Sequence, residues 1–266
     1  MKICFHVNDG KPRARSARAV LAAAARRLGL KVVVRGMADA VIALGGDGTI
    51  LHAVHRFPAV PVLGFNLGSL GYLSGVGEGD FEAALEKLAA GRYRLAERTM
   101  IELRTARGGV KARALNDIVF ERELTGRAAV LELAVDGKAP TRYVGDGLVV
   151  ATPTGSTAYS LSAGGPVVMP DSRSLVVTPM NPHALGVRPL VVGDEVALTV
   201  TARRRRDERS EKIGVYADGE HVMMLAGDES LRLVKAATGA RFVELDGYDP
   251  YAVLARKLGW TGGGER

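Results

Sequence analysis

The sequence lacks several features that would identify common classes of protein. Cys4 is the single cysteine among 266 residues, so no disulfide can form within the chain, which fits a reducing compartment. The most aliphatic segment, Ala19–Ala25, ends at Arg26 and is far shorter than the roughly 20 residues of a membrane span. The apolar run after Met1 is too short for a secretory signal peptide. We therefore expect a cytoplasmic protein.

Aromatic residues are also scarce, at 5% of the chain. No motif interleaves them with basic residues, so a surface that stacks single-stranded nucleic acid is disfavoured. The chain contains no Gly-x-x-x-x-Gly-Lys-Ser/Thr loop, and no Gly-x-Gly-x-x-Gly motif opens its first βα unit. A P-loop enzyme and dehydrogenase-style dinucleotide binding are therefore not indicated.

The charge of the chain is basic, with a formal net charge of +7. This charge suits nucleic acid, an acidic membrane surface or a polyanionic small molecule. The strongest basic run, Arg203–Arg206, is followed by Asp207 and Glu208, and we interpret it as a solvated hairpin tip of mixed charge. No histidine has cysteine or carboxylate partners at metal-ligand spacing, so we predict no dedicated metal site.

The first 95 residues alternate between strand and helix patterns. Strand patterns cover residues 2–7, 31–35, 40–44 and 60–65, and helix patterns cover residues 16–28, 48–54 and 81–90. This alternation predicts an α/β domain with a mostly parallel, Rossmann-like sheet covered by helices on both faces. In such sheets ligands bind beyond the carboxyl ends of the strands.

From about residue 96 onwards, β patterns dominate. They cover residues 100–106, 111–120, 130–135, 143–151, 175–178, 196–202, 213–217 and 230–235, with a short helix expected over 156–163. We therefore expect a β-rich, mostly antiparallel C-terminal domain over residues 96–249. A C-terminal helix within residues 250–260 is expected to pack back on the first domain (1–95), and residues 261–266 are expected to fray.

The most informative motif is Gly45-Gly-Asp-Gly-Thr49, which follows the apolar run Ala40–Leu44. Glycines have no Cβ and let the backbone approach a phosphate, and the free N–H groups at the start of the following helix favour an anion. Asp47 would repel a phosphate unless it accepts a proton from a hydroxyl or holds a metal ion. The motif therefore indicates phosphoryl transfer, with a plain strand-to-helix turn as the alternative.

Two further polar segments interrupt β patterns. The hydroxyls of Thr152–Tyr159 can donate to phosphate and ribose oxygens without adding charge, or can cap their own backbone instead. Asn116 and Asp117 place an amide and a carboxylate inside a strand-like run, where they are costly without a polar partner. Such a pair can hold the vicinal diol of a ribose, with a bulge at a strand end as the alternative.

Taken in chain order, four segments together resemble the NAD kinases. They are Gly45–Thr49, Asn116–Asp117, Thr152–Pro166, and Thr178–His183 followed by Arg188–Val192. The first motif alone is not specific, since diacylglycerol kinases, sphingosine kinases and phosphofructokinases are similar there, whereas the third segment is far more specific. The resemblance implies a kinase that transfers a phosphoryl group from ATP, or from polyphosphate, to the 2′-hydroxyl of the adenosine ribose of NAD, producing NADP.

The resemblance also implies roles for individual residues. Asp47 corresponds to the catalytic proton acceptor. Asn116 and Asp117 correspond to the pair that contacts the adenosine half of NAD, and Asp146 to the acid near its nicotinamide half. The family pair is commonly Asn-Glu, so Asp117 reaches one methylene less far. The other implied contacts of NAD are Gly48, His52, Tyr72, Thr157, Ala158, Tyr159, Ser160 and Ser162.

The resemblance further implies the small molecules and partners of the chain. ATP is the donor, NAD is the substrate, and Mg²⁺ or another divalent cation arrives with the donor. A homodimer or homotetramer is expected, without a nucleic-acid or membrane partner. Three rival functions stay open at this point: a lipid kinase with the same glycine turn, a non-catalytic NAD sensor, and a basic nucleic-acid-binding protein.

Overall fold

The computed structural model describes residues 1–8, 10, 12–34, 37–68, 71–123, 127–203 and 212–260. The chain divides into two compact units, one formed by Met1–Glu97 with Ala240–Arg266 and the other by Arg98–Gly239. The expected hairpin tip at 204–211 and the expected frayed tail at 261–266 lie outside the described residues.

The first unit is built around a six-stranded sheet with the strand order β2-β1-β3-β4-β18-β5. Its strands are β1 (Lys2–Val7), β2 (Lys31–Val32), β3 (Ala40–Leu44), β4 (Val62–Phe65), β5 (Tyr93–Arg98) and β18 (Ala240–Leu245). Its helices are α1 (Pro12–Arg27), α2 (Asp47–Arg56), α3 (Phe81–Ala89) and α5 (Pro250–Lys257). The pairs β1–β2, β1–β3, β3–β4 and β4–β18 are parallel, which confirms the predicted mostly parallel sheet.

The packing of this sheet determines where ligands can reach it. Every residue of β3 is buried, as expected for a central parallel strand that is covered on both faces. Leu21 and Ala25 of α1 and Leu85 of α3 pack into the same apolar core. Because β1, β3 and β4 run parallel, the segments that follow them meet at one edge of the sheet.

The boundary between the units differs from the expected one at residue 249. Residues 240–245 form β18, which runs parallel to β4 in the first sheet, with Phe242 opposite Val62. The chain therefore returns to the first unit before the last helix begins. The turn and strand patterns of this segment resemble those of the preceding β-rich unit, so the sequence alone did not separate them.

The second unit contains two six-stranded sheets, with the strand orders β10-β9-β14-β17-β6-β7 and β13-β12-β11-β8-β15-β16. Its strands are β6 (Ile101–Thr105), β7 (Val110–Ala114), β8 (Asp117–Arg122), β9 (Ala129–Val135), β10 (Thr141–Gly145), β11 (Gly147–Ala151), β12 (Ser174–Met180), β13 (Leu190–Gly193), β14 (Leu198–Ala202), β15 (Ile213–Ala217), β16 (Glu220–Leu225) and β17 (Ser230–Lys235). Side chains of both sheets share one apolar core, which includes Leu103 of β6 and Phe120 of β8. The strand pairs are antiparallel, as predicted.

Two strands that the sequence predicts as continuous are interrupted. The predicted strand over 111–120 is split between β7 and β8, and the predicted strand over 143–151 is split between β10 and β11. Asn116 lies in the first interruption and Asp146 lies in the second. Between β11 and β12, Thr154–Thr157 forms a 3₁₀ turn and Tyr159–Ser162 forms the short helix α4.

Candidate active site

The turn after β3 lies at the carboxyl edge of the first sheet. The N–H of Gly45 donates to the carbonyl of Phe65, the last residue of β4, at 2.8 Å. A Cβ at Gly45 would lie 2.3 Å from Oγ1 of Thr49, so only glycine fits here without a rearrangement. Helix α2 begins at Asp47, and the unpaired N–H groups of its first turn therefore lie at this edge of the sheet.

The carboxylate of Asp47 is oriented by the backbone of the segment that follows β4. Oδ2 accepts a hydrogen bond from the N–H of Tyr72 at 2.8 Å, and Oδ1 accepts one from the N–H of Leu73 at 3.0 Å. The Asp47 residue stays partly exposed, and Gly48 beside it is exposed. Because a carboxylate has about four acceptor positions, these two bonds leave capacity for a hydroxyl of a ligand.

Gly71 controls how closely this segment approaches Asp47, because a Cβ at Gly71 would lie 1.9 Å from Oδ1 of Asp47. Gly71→Ala should displace the carboxylate without removing its charge, and we expect kcat to fall about tenfold because a reacting group is misplaced. Steady-state kinetics measures this effect. Gly79→Ala is the matched control, since nothing lies within 4 Å of a Cβ there. An unchanged kcat for Gly71→Ala would show that the position of Asp47 does not matter.

A cavity of about 280 Å³, which we name the turn cavity, opens beside Gly45 and Gly46. Arg13 of α1 and the buried Asn66 also line it, and none of its described lining residues is acidic. The Arg13 guanidinium is exposed and lies 2.5 Å from a carboxylate oxygen of Glu78. An arginine beside the start of a helix makes this cavity suitable for a phosphate.

His52 and Tyr72, two predicted contacts of NAD, already have neighbours within the first unit. His52 is exposed, its Nδ1 lies 2.9 Å from Nε2 of His6, and the two rings stack. The ammonium of Lys257 lies 5.4 Å from the ring centroid of Tyr72. Burial, and then the charge of Asp47, raise the pKa of Tyr72. The structure thus brings Tyr72 to the catalytic candidate and pairs His52 with a second histidine.

In the second unit, Asp218 organises the turn between β7 and β8. Its Oδ2 accepts the N–H of Leu115 at 2.7 Å, and its Oδ1 accepts the N–H groups of Asn116 and Asp117 at 2.7 and 3.1 Å. Asp218 lies in the hairpin turn between β15 and β16 with a φ of 49°, a left-handed conformation that aspartate tolerates. The carboxylate of Asp218 thus accepts hydrogen bonds from three consecutive backbone N–H groups. The interruption between β7 and β8 lies at these residues.

Asp117 is buried beside this turn, with 4% of its surface exposed. Burial, and then the charge of Asp218, raise the pKa of Asp117 to about 7, against the opposing effect of a hydrogen bond from the backbone of Tyr159. Near neutral pH this carboxyl group is therefore present in both its protonated and its ionised form. The protonated form can donate as well as accept a hydrogen bond.

The raised pKa of Asp117 predicts how stability depends on pH. Between pH 3.8 and about pH 7 the unfolded chain ionises this group while the folded chain keeps the proton, so stability falls as the pH rises through this range. Asp117→Asn removes this contribution. We expect its melting temperature to increase relative to the wild type across that range and to stay level above it. Asp171→Asn, at an exposed position, is the control, and a pH-independent difference would contradict the expectation.

A cavity of about 400 Å³, which we name the second-unit cavity, is lined by four of the predicted contacts of NAD. These four residues are Asn116, Asp117, Ala158 and Tyr159. Glu121, Tyr216 and Asp218 also line it and were not predicted. Burial, and then the charges of Glu121, Asp146 and Asp117, raise the pKa of Tyr159. The cavity is therefore acidic and suits a ligand with hydroxyl groups.

Several hydroxyls of the segment after β11 are used inside the fold. Thr152 Oγ1 donates to the carbonyl of Leu115 at 2.5 Å, and the hydroxyl of Ser156 is buried among backbone groups. Ser160 has no exposed surface, and its Oγ lies 2.8 Å from Oγ1 of Thr178. The predicted contact of Ser160 with NAD is therefore not available in this conformation, because its hydroxyl joins α4 to β12.

The rest of this segment lies close to Asn116. A Cβ at Gly155 would lie 1.9 Å from the carbonyl oxygen of Asn116, so the two segments touch through the backbone. Thr157 is partly buried, and its Oγ1 donates to the carbonyl of Thr154 at 3.3 Å. Ser162 is exposed. The capping interpretation thus accounts for the hydroxyls of Thr152, Ser156 and Thr157, which donate to backbone carbonyls, and leaves Ser162 open to a ligand.

Asp146 is held by two side chains between β10 and β11. Nε of Arg122 donates to Oδ1 at 2.6 Å, and Nδ2 of Asn181 donates to Oδ2 at 2.7 Å. The hydrogen bond from Asn181, and then the one from Arg122, lower the pKa of Asp146. Asp146 therefore carries a negative charge at neutral pH. Arg122, like Asp218, is a partner that sequence reasoning did not find.

The described residues contain no cluster of three or more histidine, cysteine, aspartate or glutamate side chains that could hold a metal ion. In the part of the chain that the structure describes, no helix is both long and apolar enough to cross a membrane.

The glycine turn, the oriented carboxylate and the arginine-lined cavity beside the turn are suited to phosphoryl transfer, and relatives show that the chain is a phosphotransferase. A family model described as the ATP-NAD kinase N-terminal domain matches residues 11–93, and one described as the C-terminal domain matches residues 115–245. The NAD kinase of Symbiobacterium thermophilum is 44% identical over 231 residues, covering 85% of this chain and 80% of that protein. The NAD kinase of Syntrophotalea carbinolica is 39% identical over 238 residues, covering 88% and 81%. The chain belongs to the NAD kinase family.

Two solved structures share the fold. Yeast NADH kinase complexed with NADH superposes with a TM-score of 0.87 at 24% identity, covering 100% of this chain and 89% of that one. An NAD kinase from Archaeoglobus fulgidus in complex with ATP superposes with a TM-score of 0.77 at 25% identity, covering 97% and 98%. The two-unit architecture is therefore that of NAD kinases.

Proposed function

We propose that Asp47 accepts the proton of the 2′-hydroxyl of the adenosine ribose of NAD while that oxygen attacks the terminal phosphorus of ATP. The overall reaction, ATP-dependent phosphorylation of NAD to NADP, follows from family membership. The observation that carries the role of Asp47 is its environment. Two backbone N–H groups orient its carboxylate, the adjoining glycine turn opens on a cavity lined by Arg13, and Asp47 stays partly exposed.

The proposed step forms one bond, breaks one bond and transfers one proton. A bond forms between the ribose oxygen and the γ-phosphorus, the bond from that phosphorus to the bridging oxygen breaks, and ADP leaves. The proton goes to Asp47. Phosphoryl transfer has a loose transition state in most analyses, so positioning and charge neutralisation carry most of the rate. Arg13 and the first N–H groups of α2 would hold the phosphates in the turn cavity.

The second-unit cavity is the proposed site for NAD. Asn116 and Asp117 line it and would hold the adenosine half through its ribose hydroxyls. Asp146, whose pKa is lowered, would face the nicotinamide half, where its negative charge favours a cationic ring. Tyr159 and Ser162 would contact the same NAD molecule. Support comes from the shared cavity, the acidic lining and the exposure of Ser162.

A divalent cation that arrives with the donor is part of the proposal. Since the described residues contain no metal-binding cluster, its ligands would be mainly the oxygens of the donor phosphates and water. The ion would neutralise charge on the phosphates. A homodimer or homotetramer, a cytoplasmic location and the use of polyphosphate in place of ATP remain predictions.

The direct test is a product assay with NAD, ATP and Mg²⁺. We expect formation of NADP, detected by a dehydrogenase that accepts only NADP, and phosphorus NMR should place the new phosphate on the 2′ oxygen. Omission of ATP or of NAD should abolish the signal. Phosphorylation of the 3′ oxygen, or NAD binding without turnover, would contradict the proposal and favour a different acceptor geometry or an NAD sensor.

A further inference from the structure

A second cavity in the first unit adjoins the turn cavity. We name it the Tyr248 cavity, and it measures about 380 Å³. Asn66 and Gly68 line both cavities, so the two are neighbours along the segment that follows β4. The Tyr248 cavity extends from there along α5 as far as Arg256, and the proposed reaction has no role for it.

The two cavities differ in charge. The turn cavity has Arg13 and no acidic residue among its described lining. The Tyr248 cavity has two carboxylates, those of Asp80 and Asp249, and one guanidinium, that of Arg256. Carboxylates repel phosphate but accept hydrogen bonds from hydroxyl and amino groups. The pair of cavities thus presents an anion-binding end and an end suited to a polar, uncharged group.

Tyr248 also contributes an aromatic ring to the lining of this cavity. A Cβ at Gly75 would lie 3.0 Å from the ring of Tyr248, so the absence of a side chain lets this ring rest on the backbone. An aromatic ring beside carboxylate acceptors matches a nucleoside, which combines a planar base with sugar hydroxyls and ring amino groups. A plain chain of phosphates offers neither.

We propose that the Tyr248 cavity binds the nucleoside half of the phosphoryl donor. This inference rests on the proposed position of the donor phosphates in the turn cavity. Asp80 and Asp249 accept hydrogen bonds from the sugar or base, and Tyr248 packs against the base. The cavity thereby favours a nucleoside triphosphate over inorganic polyphosphate, whose phosphates occupy the turn cavity alone.

The test fills the cavity from one side. Ala252 is an exposed residue of α5 that lines the cavity, and Ala252→Trp places a bulky ring in it. We expect the dissociation constant of ATP to rise at least about tenfold through steric exclusion, and that of inorganic tripolyphosphate to stay unchanged. Ala83→Trp, at an exposed position on α3, is the control and should change neither constant. Calorimetry with Mg²⁺ present gives both constants.

Three results distinguish a failure of the proposed nucleoside site from a failure of the proposed position of the donor phosphates. Unchanged affinity of Ala252→Trp for ATP, or an equal loss for ATP and tripolyphosphate, would overturn the nucleoside site. If Arg13→Ala leaves both affinities unchanged, the donor phosphates lie elsewhere, and the proposed function fails instead. Photolabelling of the wild-type protein by 8-azido-ATP is independent of folding of the variants. The label should map to residues 248–256, and labelling confined to other segments would overturn the inference.

Discussion

Asp47→Asn is expected to lower kcat by about 10²- to 10⁴-fold, the usual contribution of a general base, while the dissociation constant of NAD stays nearly unchanged. The amide cannot accept the proton of the ribose hydroxyl. NAD binding is spared because most of its proposed contacts, including Asn116 and Asp117, belong to the second unit, whereas Asp47 belongs to the first. Steady-state kinetics and calorimetric titration with NAD measure the two quantities separately.

The asparagine variant needs a control for its effect on the backbone. In the wild type the backbone N–H groups of Tyr72 and Leu73 both donate hydrogen bonds to the carboxylate of Asp47. In the variant the NH₂ group of the asparagine cannot accept one of these two hydrogen bonds. Asp39→Asn is matched to it, because Asp39 is another first-unit carboxylate that accepts a backbone N–H, that of Lys2 at 2.7 Å. We expect Asp39→Asn to retain turnover. Equal losses in the two variants would assign the effect to folding.

Asp218→Ala is expected to raise the KM for NAD about 100-fold, because three backbone N–H groups lose their acceptor and each buried unsatisfied donor costs about 1–3 kcal/mol. The N–H groups are those of Leu115, Asn116 and Asp117, so the turn that carries the predicted ribose contacts loses its support. Asp218→Asn keeps one acceptor oxygen and should lose less. Initial-rate kinetics at saturating ATP measures this KM.

Asp136→Ala provides a closely matched control. Asp136 has the same φ of 49°, precedes a glycine in a hairpin turn, and accepts one backbone N–H, that of Ala197 at 2.8 Å. The strain of a left-handed alanine is therefore similar in both variants, while only Asp218 lines the second-unit cavity. We expect Asp136→Ala to leave the KM for NAD unchanged. Similar KM values in the two variants would remove Asp218 from the binding of NAD.

The parts of the fold that local patterns determine could be predicted from the sequence. Buried runs such as Ala40–Leu44 and the helix patterns between them predict the parallel sheet, and turn residues such as Asp136 and Asp218 predict hairpins. The interruptions at Asn116 and Asp146 could not be predicted in this way. Each depends on partners distant in sequence, namely Asp218 for the first and Arg122 for the second.

The residues of the candidate site also divide into those that a local pattern reveals and those that depend on partners distant in sequence. The glycine turn carries its chemistry within five consecutive residues, so Asp47 stood out in the sequence. Asp218 did not, because its Asp-Gly turn has the same sequence signature as the turn at Asp136, and only tertiary structure tells them apart. The family resemblance implies a contact between Ser160 and NAD, and the local pattern does not reveal that the hydroxyl of Ser160 pairs with Thr178, 18 residues away.

The central claim, that Asp47 accepts the proton in the phosphoryl-transfer step, is tested most directly by a single-turnover measurement. Rapid-quench mixing of excess enzyme and ATP with limiting NAD gives the rate of the chemical step without product release. For Asp47→Asn we predict a rate about 10²- to 10⁴-fold below that of the wild type, with NAD fully bound. A single-turnover rate equal to that of the wild type would contradict the proton-accepting role of Asp47.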